Sequence, residues 1–357
     1  MSSNILTVGL IGFMASLLTG LIIMITQRWH GLWTFDQVTG VQKFHQSKVP
    51  RIGGLTIVTG LCAIELLDST ILGNSFEYLL VASLIPFFFG LAEDLTKRVS
   101  AGFRLLATAA GAAVFIFLAG MYLTHLDVPG LDFLMSFAVV AMIATVIMVS
   151  GMTNAINIID GFHGLASGTV ILILMALGFV AHGTQDSELL HLCVLLICVT
   201  LGFFVLNYPL GKIFLGDGGA YFLGFMVAQI AILLPMRNPE ISPWVSLLIC
   251  AYPVVEVLYS MFRRTLEKRS SGSPDDQHLH TLIKTQWIRP SLPTWTMQRR
   301  NALVAPVCWV MTVFLSLWAI IWQDTLWMLV LGMVVFVLCY HVSYRYLAKK
   351  SVGRNGN

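Results

Sequence analysis

A chain of 357 residues with 57% hydrophobic and only 11% charged positions cannot clothe a water-soluble domain, for which about 25% charged is usual. Its mean hydropathy of +0.81 leaves an all-α polytopic membrane protein as the class that fits, with no separate soluble domain. A net charge of +3 gives no basic excess of the kind that nucleic-acid binding requires, so no nucleic acid is expected as a partner.

Crossing a bilayer takes ~20 apolar residues. About eleven stretches are candidates: 5–26, 53–69, 77–92, 103–121, 132–150, 165–182, 189–207, 219–236, 244–262, 302–322 and 326–344. The first lacks a basic leader segment, so no cleavable signal is expected. Between the first and second lies "VQKFHQSKVPRIGG", with Lys43, His45 and Arg51. The third is the shortest and closes in "GLAEDLTKR", with Glu93 and Asp94. The fifth runs into "SGMTNAINIIDGFHGLASG", which gathers Asn154, Asn157, Asp160 and His163. After the seventh comes "KIFLGDGGAYFLG", with Asp217. The ninth carries an acid, Glu256, inside "YPVVEVLYS" and leads into the longest polar stretch, 263–301, with Asp275, Asp276, His278 and His280 in "SPDDQHLH". The six cysteines (Cys62, Cys193, Cys198, Cys250, Cys308 and Cys339) sit in apolar runs without zinc spacing and read as packing residues.

Eleven crossings place the termini on opposite sides. All of the 21 lysines and arginines except Arg237 then share one side, which the positive-inside rule makes cytoplasmic, with the N-terminus outside. The polar clusters share that side. The outer loops hold only scattered acids such as Asp127, Asp186 and Glu240.

Taken singly, these residues have ordinary explanations. Asp94 beside Lys97 and Arg98 suits a solvated helix end; Asp160 and Asp217 suit helix caps; Asn154 and Asn157 suit hydrogen bonds between helices. His278 and His280 suit a polar loop, and Glu256 suits either a functional or a structural hydrogen-bonding role. Independent caps have no reason to gather on one face, however. Carboxylates and asparagines without thiolates form a hard oxygen environment suited to Mg²⁺. Lys43, Arg51 and the basic polar stretch supply counter-charges for a polyanion, and the glycines let backbone approach a phosphate. Carboxylates for a metal beside cations for phosphates point to phosphoryl transfer, with one substrate cytoplasmic and the other a lipid.

The same segments, in order from about Asp36 to His280, resemble the polyprenyl-phosphate N-acetylhexosamine-1-phosphate transferases of glycosyltransferase family 4. "KFHQSKVPRIGGL" is similar to K-x-H-x-x-x-x-P-R-x-G-G, "GLAEDLTKR" to the family's acidic pair, "NAINIIDGFHGLASG" to N-x-x-N-x-x-D-G-x-D-G-L, and "FLGDGGAYFLG" to F-x-G-D-x-G-S. "PDDQHLH" looks like the P-D-x-Q-H-x-H of the GlcNAc-type, O-antigen-initiating branch and not the consecutive histidines of the phospho-MurNAc-pentapeptide translocase branch. Three positions depart: Glu93 replaces the first Asp of the pair, His163 the second Asp of D-G-x-D-G, and Ala220 the usual Ser.

The resemblance implies a single integral-membrane transferase domain over 1–357, in the inner membrane of a bacterium, with the loop 263–301 contributing to a cytoplasmic-face active site. It implies transfer from a UDP-N-acetylhexosamine to undecaprenyl phosphate with loss of UMP. Mg²⁺ is the expected cofactor, with Mn²⁺ as a substitute, and a homodimer is allowed. Asp217 is the implied metal ligand. Lys43, Glu93, Asp94 and Asp160 form the implied catalytic set, the acidic pair positioning or deprotonating the lipid phosphate. Asn154, Asn157, His45, Arg51, Asp275, His278, His280 and His163 form the implied substrate-binding set. Two other classes compete. A secondary transporter predicts mid-span charges and an inverted repeat, whereas the acids here lie at helix ends apart from Glu256. A scaffold that has lost activity is the alternative that Glu93 and His163 raise.

Overall fold

A computed structural model describes residues 4–36, 48–67, 73–268, 275 and 277–355, with the side chains of 73–75 and 351–355 excepted. Lys43, His45 and Asp276 lie outside the described residues. Among those described, the fold is all-helical; Phe35 and Pro50 form an isolated antiparallel bridge.

The helices in order are α1 (Ile5–Thr34), α2 (Gly54–Leu67), α3 (Gly73–Thr96), α4 (Ala101–Ala119), α5 (Pro129–Met135), α6 (Ala138–Ile159), α7 (Leu165–Gly183), α8 (Ser187–Asn207) and α9 (Gly216–Arg237). They continue with α10 (Pro243–Ile249), α11 (Ala251–Leu266), α12 (Leu279–Leu282), a π-helical turn over Ile283–Ile288, α13 (Arg289–Ser291), α14 (Met297–Ile321) and α15 (Leu326–Asn355). Nine of these, among the described residues, are long and apolar enough to cross a membrane, or ten if α10 and α11 count as one broken span.

Each of the eleven expected stretches falls on a helix, but two are not simple crossings. The third is not short, since α3 has 24 residues; α2 has 14 described residues, which at 1.5 Å per residue reach about 21 Å of a hydrocarbon core about 30 Å thick. The ninth is broken, with α10 and α11 meeting at 76°. Pro253 in the first turn of α11 has no N–H to continue a preceding helix, and a proline is best accommodated at a helix start. The fifth expected stretch, 132–150, is also displaced. α5 ends at Met135 and the span is α6, so Asn154 and Asn157 belong to its last turns and Asp160 is its C-cap.

α9 forms the axis of the bundle, packed against α3 and α6 and also touching α2 and α7. It is apolar around its whole circumference, the pattern of a helix with no solvent face, and is buried along almost its entire length. Small residues set the approach, as is usual where helices pack without a hydrophobic drive from water. A Cβ on Gly90 of α3 would lie 2.7 Å from the Asp217 backbone, and one on Gly54 of α2 would lie 2.4 Å from Gly219. The start of α9 is thereby seated between the end of α3 and the start of α2.

At the opposite end of α9, Arg237 is held by two acids. Its Nε and Nη2 donate to the two Asp186 oxygens at 2.7 and 3.0 Å, and its Nη1 lies 2.8 Å from Glu188. The one cation that the sidedness argument left over is thus locally neutralised. Replacing it by methionine leaves the buried Asp186 without its main counter-charge. Arg237→Met is expected to lower stability by about 1–3 kcal/mol while sparing the activity of the folded fraction, read as a lower thermal midpoint at unchanged initial rate. An unchanged midpoint would show the clamp to be energetically idle.

Candidate active site

The ends of α3, α6 and α8, the starts of α4, α7 and α9, and the α11–α14 connection surround a polar cavity of about 370 Å³. Residues from five expected segments line it: Arg51; Glu93; Asn157, Asp160 and His163; Asp217; and Asp275, His278 and His280.

The first wall is built on the start of α9. An α-helix begins with N–H groups that have no partner inside the helix, and here a neighbouring helix supplies it. Asp94 Oδ1 accepts from Asp217 N and Oδ2 from Gly218 N, both at 2.9 Å. A carboxylate at this position also meets the positive end of the helix dipole. Gly216, just before, has φ +75, and a Cβ there would lie 2.2 Å from Arg51 O and 2.6 Å from Asp94 Oδ2. Only glycine serves this turn.

Asp94, expected to act on a substrate phosphate, is therefore 1% exposed and lies behind the cavity surface, where it fixes Asp217. Its neighbour Glu93 does line the cavity and accepts from Val99 N at 2.7 Å. Successive helical positions point about 100° apart, which separates the pair.

Asp217 is 6% exposed and its carboxylate is paired with both Arg51 and Arg104. Arg51 also reaches Asp94 at 3.2 Å and Asp36 at 3.6 Å. Arg104, from the first turn of α4, lies over the ring of Tyr221, 5.5 Å from its centroid, one turn along α9 from Asp217.

The second wall is the α6–α7 turn. Asn157 faces the cavity, but Asn154, one turn earlier, does not line it. Gly164 adopts a left-handed conformation with φ 72, and its N–H donates to Asn207 Oδ1 at 2.7 Å. Asn207 Nδ2 in turn donates to Ile213 O at 2.7 Å, so one asparagine ties this turn to the α8–α9 connection. Burial pushes the Asp160 carboxyl well above the usual carboxylate range; Arg51 opposes this, and Asp94 and Asp36 reinforce it. His163 is three positions on, but across a non-helical turn, so it shares the cavity with Asp160 and not a helix face. Its Nδ1 lies 3.2 Å from Pro209 O and its ring stacks on Phe214 at 5.9 Å.

The third wall is the α11–α14 connection. Asp275 accepts from Ser260 Oγ at 2.7 Å and pairs with Arg263. Burial opposes its ionisation, but Ser260, His278, the Gln277 N–H and Arg263 together hold its carboxyl down at about 2. His278 and His280 stack with centroids 5.3 Å apart and planes 7° from parallel, and His280 meets Phe162 edge-on at 5.7 Å. Lys284, in the π-helical turn, lies 5.2 Å from the Phe162 ring centroid. Burial, with Arg300 and Arg289 adding to it, pushes its ammonium down to about 7.

Burial likewise pushes His280 down to about 4, against the pull of the Glu256 carboxylate. An unfolded histidine titrates near 6.5. Between those values the unfolded chain binds more protons than the folded one, so the stability due to neutral His280 is present above about 6.5 and is lost as pH falls toward 4. Thermal unfolding followed from pH 7 to 4.5 is expected to show a steeper decline for the wild type than for His280→Gln. Parallel curves would show that His280 does not titrate in this way.

Polar lining residues missed from sequence are Asp36, Arg104, Asn207, Thr281 and Asn301. Arg104 carried a usable signal. It falls inside an expected membrane stretch, where a charge is costly and needs a task. Asp36 and the two asparagines carried none.

Hard oxygen donors line the cavity: Asp217, Asp160, Glu93 and Asn157. Among the described residues, no three His, Cys, Asp or Glu side chains stand close enough to cage a metal. Both oxygens of Asp217 are engaged by guanidinium groups. This set does not fit a metal caged by protein alone. It fits a hard cation held by one carboxylate, Asp217, with substrate oxygens and water completing the shell.

Residues 76–235 match the model for glycosyl transferase family 4. A Bacillus subtilis (strain 168) protein named "Probable undecaprenyl-phosphate N-acetylglucosaminyl 1-phosphate transferase" is 30% identical over 273 residues, covering 76% of this chain and 75% of the relative. The chain belongs to this family. Proteins from Yersinia pestis and Escherichia coli (strain K12), both named "Undecaprenyl-phosphate alpha-N-acetylglucosaminyl 1-phosphate transferase", are 29% and 28% identical over 249 residues, 68% of this chain and 67% of each relative.

Proposed function

We propose that the chain transfers an N-acetylhexosamine 1-phosphate from a UDP-sugar to undecaprenyl phosphate at the cytoplasmic face of a bacterial inner membrane, starting a lipid-linked glycan such as O-antigen. The observation that carries this is the convergence of Arg51, Glu93, Asp160, Asp217 and His278, from segments far apart in the chain, on one polar cavity at the ends of membrane helices. The names of the relatives supply the acceptor and the transferred group. Eleven crossings, with the C-terminus cytoplasmic, remain the reading of the charge distribution.

An oxygen of the lipid phosphate attacks the sugar-linked phosphorus, the bond to the UMP oxygen breaks, and UMP leaves with that electron pair. A phosphate monoester has a second pKa near ~6, so the acceptor is already largely dianionic at neutral pH. Orientation and charge screening are the larger tasks. Arg51 and Arg104 face the developing negative charge, and Asp94 keeps Asp217 and the start of α9 in place. Glu93, the acid of the pair that reaches the cavity, orients the lipid phosphate. Asn157 and Asp160 border the nucleotide. His278 and His280 border the sugar diphosphate. Asp217 would hold Mg²⁺, which would supply charge neutralisation to the phosphates.

The test is purified protein with undecaprenyl phosphate, Mg²⁺ and a panel of UDP-N-acetylhexosamines, following UMP. Release dependent on both the lipid and the divalent cation is expected, and its absence with every donor would end the proposal. His163 bears on which sugar is used, because its ring packs the α8–α9 connection beside Asp160. The ratio of kcat/KM for UDP-GlcNAc and a UDP-6-deoxy-HexNAc is expected to change in His163→Asp. An unchanged ratio would leave His163 a packing residue only.

A further inference from the structure

No step of this transfer uses Glu256, yet its side chain is 1% exposed and sits inside α11. A carboxylate so placed is costly unless it is held. Glu256 Oε1 accepts from Leu279 N at 2.9 Å and contacts His278 Nδ1 at 3.2 Å. One and two turns further along the helix, Ser260 Oγ donates to Asp275 at 2.7 Å and Arg263 pairs with the same carboxylate. Positions 256, 260 and 263 have the i, i+4, i+7 spacing of one helix face. The opposite face, with Leu258, Met261 and Phe262, is exposed. A polar stripe on α11 therefore carries the segment that presents the two histidines to the cavity.

The Glu256 bond fixes a proton on His278 Nδ1, because a carboxylate only accepts. Among the described residues Glu256 Oε2 and His280 Nδ1 close no hydrogen bond and face each other at 3.9 Å, with the Tyr340 phenol also beside Glu256. Moving them together by about 1 Å would close a second bond. We infer that Glu256 is a positioning residue: one oxygen holds His278, the other is placed to take His280, and the stacked pair is thereby set against the donor's sugar diphosphate. The inference rests on the transferase reading above, and its test separates the two.

Full-length protein labelled with ¹⁵N-histidine and embedded in nanodiscs gives a readout that needs no turnover. The His278 signal, assigned by its loss in His278→Asn, is expected to show the proton on Nδ1 in the wild type. In Glu256→Gln, folded by its thermal midpoint, kcat/KM for UMP release is expected to fall about 10- to 100-fold, the usual cost of losing a group that orients a functional histidine. The double variant Glu256→Gln/His278→Asn is expected to be no slower than His278→Asn alone, because the two act as one unit. Losses that multiply, activity of Glu256→Gln within twofold of wild type, or a wild-type His278 protonated on Nε2 alone would each overturn the assignment. If Glu256→Gln does not fold, the same cycle with Glu256→Asp, which keeps the charge and withdraws it by one methylene, has the same two outcomes. A wild type that releases no UMP would instead remove the transferase reading, leaving the nitrogen spectra to decide on Glu256.

Discussion

Asp217→Asn is expected to lower turnover by about 10²–10³-fold, the scale of losing one preorganised electrostatic group. The amide keeps the shape of the side chain but removes the anion that faces Arg51 and Arg104. Two guanidinium groups then share a pocket without their counter-charge, and the carboxylate assigned to a hard cation there is gone. The first effect disorders the groups that meet the phosphates, and the second weakens the response to Mg²⁺. Rates measured across a Mg²⁺ titration distinguish them: the variant should stay slow at saturating metal and also need more metal to reach half its own maximum. Near wild-type turnover at limiting Mg²⁺, in protein with a normal thermal midpoint, would show that Asp217 is not the ligand.

The acidic pair is expected to divide in a second way. Asp94→Asn should lose both stability and activity, whereas Glu93→Asp should keep its stability and much of its turnover. Both oxygens of Asp94 accept N–H groups at the start of α9, and one also meets Arg51. An asparagine offers one oxygen and turns an NH₂ toward donors. Breaking a buried pair of this kind costs about 3–5 kcal/mol, and the start of α9, which carries Asp217, is released with it. Glu93 lines the cavity and accepts a single backbone N–H, so a shorter acid shifts its carboxylate without leaving a buried donor unpaired. Thermal midpoints and initial rates for both variants decide the matter. A stable, inactive Asp94→Asn would return Asp94 to direct contact with substrate, and a collapse of Glu93→Asp would reverse the division.

The helical class was written in composition, and the cavity's membership was written in motifs at the ends of apolar runs. What sequence could not carry was depth and partnership. The acidic pair looks symmetrical as text; only the approach of α3 to α9 at Gly90 decides which acid becomes a cap and which reaches the cavity. The apolar run before Asn154 has no stop signal where it was expected to end. The helix continues to Ile159, and of its last polar side chains Asn157 borders the cavity. The break between α10 and α11 had a sign in Pro253, but inside a continuous apolar run a proline marks a kink as readily as a new start. Asn207 joins two turns that lie far from each other in sequence, and nothing local in either turn announces it.

The seating of α2 bears on where the lipid would enter. Arg51 directly precedes this helix, and Gly54 at its start touches Gly219 beside Asp217. The start of α2 therefore forms part of the cavity wall, and the cavity sits at the level of helix ends and not above them. On the transferase reading, a polyprenyl phosphate would reach Arg51 by moving sideways, with no part of its chain lifted into water.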